Sequence, residues 1–93
     1  MYKPNPIDTS KIALPEELEE LTERLAENVH ENWAAGRIAQ GWHYGQQRDD
    51  QLLQTPCLVP YSDLPEEEKQ YDRNTAMQTL KAIVALGYRI EKA

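Results

Sequence analysis

The chain is poor in several things that would narrow its chemistry quickly. It has one cysteine, Cys57, in 93 residues. A single thiol cannot close an internal disulfide, so a reducing, cytoplasmic setting is the simplest expectation. No apolar run approaches the ~18 residues of a bilayer-spanning segment. Met1-Tyr2-Lys3-Pro4-Asn5-Pro6 lacks the apolar core of a secretory signal, and no membrane partner is expected. Positive charge is also scarce: Lys and Arg number 10 against 16 Asp and Glu, a net charge of −6. Between Glu16 and Glu31 the glutamates have Arg24 as their only cation. Such a surface repels phosphodiester backbones, which argues against nucleic-acid binding.

Chemical signatures are missing as well. His30, His43, Asp49, Asp50 and Cys57 fall into no zinc spacing, because the chain has neither CxxC nor HxxxH, and no metal site is expected. No glycine-rich phosphate loop or nucleophile elbow is present. Cys57, within Pro56-Cys57-Leu58-Val59, reads as a small apolar residue and not as a nucleophile. The chain is thus expected to be no enzyme and to carry no cofactor.

What is present describes a small folded domain. The apolar share is 40% and the charged share 28%, values of a globular protein. A globule of this length has a radius of gyration of about 12 Å. Residues 1–13 hold Pro4 and Pro6 and should form an extended arm, turned at Asp8-Thr9-Ser10 and anchored by Ile7 and Ile12. A helix over 15–40 follows. Pro15 suits its first position, and Glu16, Glu17, Glu19 and Glu20 suit the positive end of its dipole. Leu14, Leu18, Leu21, Leu25 and Val29 make one apolar stripe on a 3.6-residue period. Gly36 and Gly41 are its stop signals, with an end expected near Ala39 to Gly41.

Residues 41–64 read as irregular, with Cys57-Leu58-Val59 as a short strand or extended segment between Pro56 and Pro60. Leu64-Pro65-Glu66-Glu67-Glu68 should open a short helix over 65–70. Asp72 or Asn74 should cap a second long helix over 73–87, ended by Gly87. Its stripe is Ala76, Met77, Leu80, Ile83, Val84 and Tyr88. The expected fold is mainly α, an antiparallel helix pair with a short strand or extended segment and an extended N-terminal arm. So few large apolar residues make a thin core, and a homodimer is expected to supply the missing burial.

The candidate site centres on Gly41-Trp42-His43-Tyr44-Gly45-Gln46-Gln47-Arg48-Asp49-Asp50. Aromatic rings in a connection recur where something flat, or another chain, is bound. Trp33 near the helix end is either an interior ring or a stacking platform. Trp42 and Tyr44 share that ambiguity, and in extended backbone they point to one side. Arg48 either braces the loop against Asp49 or Asp50, or joins Arg37 in holding an anionic or carbonyl group. The candidate ligand-binding set is therefore Trp33, Arg37, Trp42, Tyr44, Arg48, Asp49 and Asp50. The competing reading is a protein-interaction or dimerisation module with no small ligand.

A longer pattern adds to this. Pro6-Ile7-Asp8-Thr9-Ser10 precedes Leu14-Pro15 and Leu25-Ala26-Glu27-Asn28-Val29-His30-Glu31-Asn32-Trp33. Gly41-Trp42-His43-Tyr44-Gly45, Arg48-Asp49-Asp50, Pro56-Cys57-Leu58-Val59-Pro60-Tyr61, Leu64-Pro65 and Leu86-Gly87 follow in order. Over nearly its whole length the chain resembles the ryanodine receptor repeat, the RyR domain. With one copy and no membrane segment, it resembles the stand-alone bacterial or phage type and not a channel. The resemblance implies a mainly α-helical fold with short strands. It also implies pairing of two copies, as the tandem repeats of the channels pair. It further implies a sensing role, including nucleotide-like ligands, and catalysis is not a hallmark of the family.

Overall fold

The structure, a computed structural model, describes residues 1–93. Helix α1 runs Glu16–Ala39, and helix α2 runs Glu66–Ala85 and packs against it. Between them lie strands β1 (His43–Tyr44) and β2 (Gln54–Thr55) and a single 3-10 turn, Tyr61–Asp63. The fold is mainly α, as the helical periodicity requires.

Both helices begin one residue after a proline, Pro15 and Pro65, whose carbonyls accept the first amide hydrogen bonds. Three glutamates fill each first turn, where the helix dipole favours negative charge. Gly41 (φ 92°) and Gly87 (φ 98°) follow the two C-terminal ends in the left-handed region that glycine takes without penalty. Gly36 is no stop: it lies inside α1.

Three local expectations are corrected. The short helix over 65–70 and the helix over 73–87 are one helix. No proline or glycine interrupts residues 66–86, so nothing breaks the ladder, and neither Asp72 nor Asn74 caps anything. Cys57-Leu58-Val59 is not a strand; the pairing falls at Gln54–Thr55. Pro56 and Pro60 have no amide to offer, the Cys57 amide donates to Thr55 Oγ1 (3.2 Å), and the Val59 carbonyl is bonded by His30. The α1 stripe is also rotated. Its deepest row is Leu18, Thr22, Ala26 and His30, while Leu21 is 42% exposed.

The molecule is less compact than its length suggests. The radius of gyration is 15.9 Å and the extents are 44 × 39 × 23 Å, because the arm stretches along α2 and two helices form a slab. Nine residues are buried, and Ala26 alone is wholly inaccessible. The core joins Ala26, Tyr61 and Leu64, with Cys57 and Val59 against them. The Tyr61 hydroxyl donates to Glu23 (3.0 Å). Arg73 of α2 donates to Glu23 (2.6 Å) and Glu66 (2.9 Å), tying the helices together over the core. The Arg73 hydrogen bond holds the Glu23 carboxyl below its ordinary range, and burial raises the Tyr61 phenol. The arm is fixed to α2 by Thr9 Oγ1 donating to Gln78 (2.8 Å).

Strands β1 and β2 are parallel, with His43 opposite Gln54 and Tyr44 opposite Thr55. Asp49 pairs with Gln54 from the other side. Gln54 is therefore the hub of the connection, and its side-chain amide also donates to His43 (3.2 Å). Leu53 accepts a φ of 56° to bring the chain back into register.

Candidate functional site

Residues 30, 33 and 37 stand three and four apart, so α1 presents their side chains along one face. The His30 and Trp33 rings stack with centroids 5.6 Å apart. The Arg37 guanidinium lies 5.9 Å from the Trp33 centroid and 5.1 Å from that of Trp42. Arg48 approaches Trp42 at 5.8 Å. Each guanidinium is within the range of cation–π attraction, ~6 Å. A continuous series of flat groups thus runs from α1 into the connection: His30, Trp33, Arg37, Trp42 and Arg48.

The space left among Trp33, Arg37, Trp42, Arg48 and Thr55 is about 20 Å³. That admits roughly one water, so these groups fill their own hollow. Arg37 and Trp42 act as backing. Their neighbours Trp33 and Arg48 turn toward a larger cleft of about 380 Å³ between α1, the connection and α2. Small-ligand sites begin at roughly 300 Å³. Val29, His30 and Trp33 form its α1 wall, and Arg48, Thr55, Cys57 and Leu64 its floor. Glu68, Tyr71, Asp72 and Thr75 form the α2 wall.

The structure therefore gathers four of the seven sequence candidates, Trp33, Arg37, Trp42 and Arg48. Asp50 joins them through Arg48, whose Nε donates to it at 2.8 Å. Asp49 does not reach the cleft. Its carboxylate accepts the amides of Gln51 (3.0 Å) and Leu52 (3.1 Å) and fixes the turn. Tyr44 stands apart, 53% exposed, lining neither the hollow nor the cleft. The α2 wall lies outside the sequence set. No local signal marks it, because Tyr71 and Asp72 sit among polar residues of α2 and only packing brings them to the cleft.

The electrostatics of the cleft are uneven. Asp50 engages Arg48 through two hydrogen bonds, which lower the Asp50 carboxyl and raise the guanidinium. Asp72 has no hydrogen-bonding side chain opposite it, and burial raises its carboxyl, opposed by the nearby charge of His30. Burial likewise raises the Cys57 thiol, an inert setting for it. His30 Nε2 lies 2.7 Å from the Val59 carbonyl and donates to it, which orients the ring at the cleft edge. No helix is long and apolar enough to cross a membrane. Compared with known protein families, residues 2–92 match the model of the RyR domain.

Proposed function

Because the chain belongs to the RyR domain family, we propose that it is a non-enzymatic sensing module of that family, whose cleft takes a small planar, nucleotide-like ligand. The observation that carries this reading is the indole of Trp33, braced by its neighbours His30 and Arg37 and lining an open cleft of ligand size. A ring already fixed by its neighbours loses little freedom when a ligand stacks on it. The ligand ring lies against Trp33, with Tyr71 across the opening. Arg48 meets a carbonyl or anionic group, and Asp72 and Glu68 accept hydrogen bonds from the ligand's edge. Arg37 and Trp42 keep Arg48 in place. No cofactor or metal is part of this reading, and its setting is cytoplasmic.

The test is a thermal-shift and calorimetric screen of mononucleotides against the wild type and Trp33→Ala. Stacking on an aromatic ring is worth roughly 1–3 kcal/mol, so Trp33→Ala should weaken binding by about five- to hundredfold. No melting shift with any flat heterocycle, or equal binding by the variant, would refute the reading.

A second reading is favoured by a separate observation. Ile7, Ile83 and Leu86 border a shallow groove where the arm meets α2, and all three are exposed. A second copy covering that face would supply burial that the slab lacks. Light scattering at tens of micromolar should then give twice the chain mass, and a monomer there would exclude the homodimer. The two readings are compatible, since the groove and the cleft have no lining residue in common.

A further inference from the structure

The chain exposes more surface than a self-contained domain of its mass does. Its accessible surface is 7544 Å², where a compact monomer of 10.7 kDa exposes about 5,500 Å². The surplus of about 2,000 Å² exceeds the roughly 800 Å² that each partner contributes to a standard interface. Much of it is apolar and belongs to two segments that meet. Six of the eleven exposed large apolar side chains, Met1, Tyr2, Ile7, Ile83, Leu86 and Tyr88, lie in the arm or in the last turn of α2 and its exit. The groove between these segments is lined only by apolar and neutral polar side chains, although charged residues make up 28% of the chain. Two copies of net charge −6 repel each other, so an uncharged patch is where like copies can meet. The arm is also weakly held within one chain. Residues 1–8 are all exposed, no backbone hydrogen bond joins residues 1–9 to α2, and Thr9 to Gln78 is the single side-chain one. One such bond is worth far less than the backbone entropy of nine ordered residues.

We infer that the arm and the C-terminal half of α2 form one face, covered by the same face of a second copy, with the two arms lying between the two α2 helices. This rests on the homodimer reading and fixes where its contact falls. Ile7, Ile83 and Leu86 of one copy meet those of the other across a two-fold axis, which closes the assembly at two. Burial of the arm in that seam offsets the ordering entropy that its single hydrogen bond does not. Pairing and arm docking are therefore one event. The cleft stays open in the pair, because it shares no lining residue with the groove.

The experiment is sedimentation equilibrium of the full chain at tens of micromolar, with the wild type beside Ile7→Glu, Leu86→Glu and Leu52→Glu. The wild type should be a dimer. A glutamate placed in the seam loses its water and faces its own counterpart across the axis. Ile7→Glu and Leu86→Glu should therefore each weaken pairing by roughly a hundredfold and sediment as monomers. Leu52 is 58% exposed but lines no part of the groove, so Leu52→Glu should remain a dimer. All three side chains are exposed in the single chain, so far-ultraviolet circular dichroism should be unchanged in every variant. A dimer that survives both Ile7→Glu and Leu86→Glu overturns this face and leaves the homodimer reading to another. Equal dissociation by Leu52→Glu overturns it too, since any added charge would then suffice. Loss of helix in Ile7→Glu or Leu86→Glu does the same, by making the patch interior to one chain. A wild-type monomer removes the inference together with the homodimer reading and leaves the patch to a different occupant.

Discussion

Tyr61→Ala should strip the domain of most of its stability at room temperature. The side chain is 5% exposed and joins Ala26 and Leu64 in the one buried cluster. Truncating a buried aromatic to alanine costs roughly 3–5 kcal/mol. A domain of this length has about 5–14 kcal/mol in total, and so few buried residues put this one at the low end. The ring also lies 6.3 Å from His30 and beneath Lys69 at 5.8 Å, so the cleft edge loses its support with the core. Urea denaturation followed by far-ultraviolet circular dichroism measures the loss. Tyr61→Phe keeps the ring and removes only the hydrogen bond to the Glu23 carboxylate, at roughly 1.5–3 kcal/mol before solvent exposure of Glu23 reduces it. Equal losses in the two variants would show that the Glu23 bond, and not ring burial, holds the helices together.

Gly45→Ala is expected to destabilise by roughly 1–3 kcal/mol, against the usual sign for this exchange. Glycine to alanine at a relaxed position commonly stabilises by about 0.4–1 kcal/mol through the unfolded chain. Here an added Cβ would meet Gln54 Cβ at 2.7 Å and its Oε1 at 2.9 Å. The hub residue must give way, which parts β1 from β2 and displaces Arg48 from Trp42. Gly36→Ala is the control: nothing lies within 4 Å of its added Cβ in the last turn of α1, so it should stabilise by roughly 0.5–1 kcal/mol. Melting temperatures of the pair decide the matter. Two variants shifting in the same direction would refute the close packing assigned to Gly45.

The helices were legible from local rules. Proline, glutamate and glycine placed both ends of α1 and the C-terminal end of α2 within a residue or two. The break expected near residue 72 came from reading Asp72 and Asn74 as caps, although no helix breaker accompanies them. The strand was misplaced because Leu58 and Val59 look more strand-like than Gln54 and Thr55. Pairing went to the residues with free amides and carbonyls. At the site, the aromatic and arginine series was legible because α1 spacing puts 33 and 37 together and the loop motif supplies 42 and 48. The α2 wall was not, since it takes a tertiary contact to bring Asp72 opposite Trp33. Asp49 shows the converse: a carboxylate beside a ligand-like motif spent on its own turn.

The unbroken run of α2 has a mechanical consequence. It is one rod about 30 Å long, and three of its side chains serve three different parts of the molecule. Asp72 faces the cleft, Arg73 grips α1 through Glu23, and Gln78 holds the N-terminal arm. With no helix breaker among residues 66–86, the backbone between these residues has no hinge, so their spacing is fixed by the helix itself.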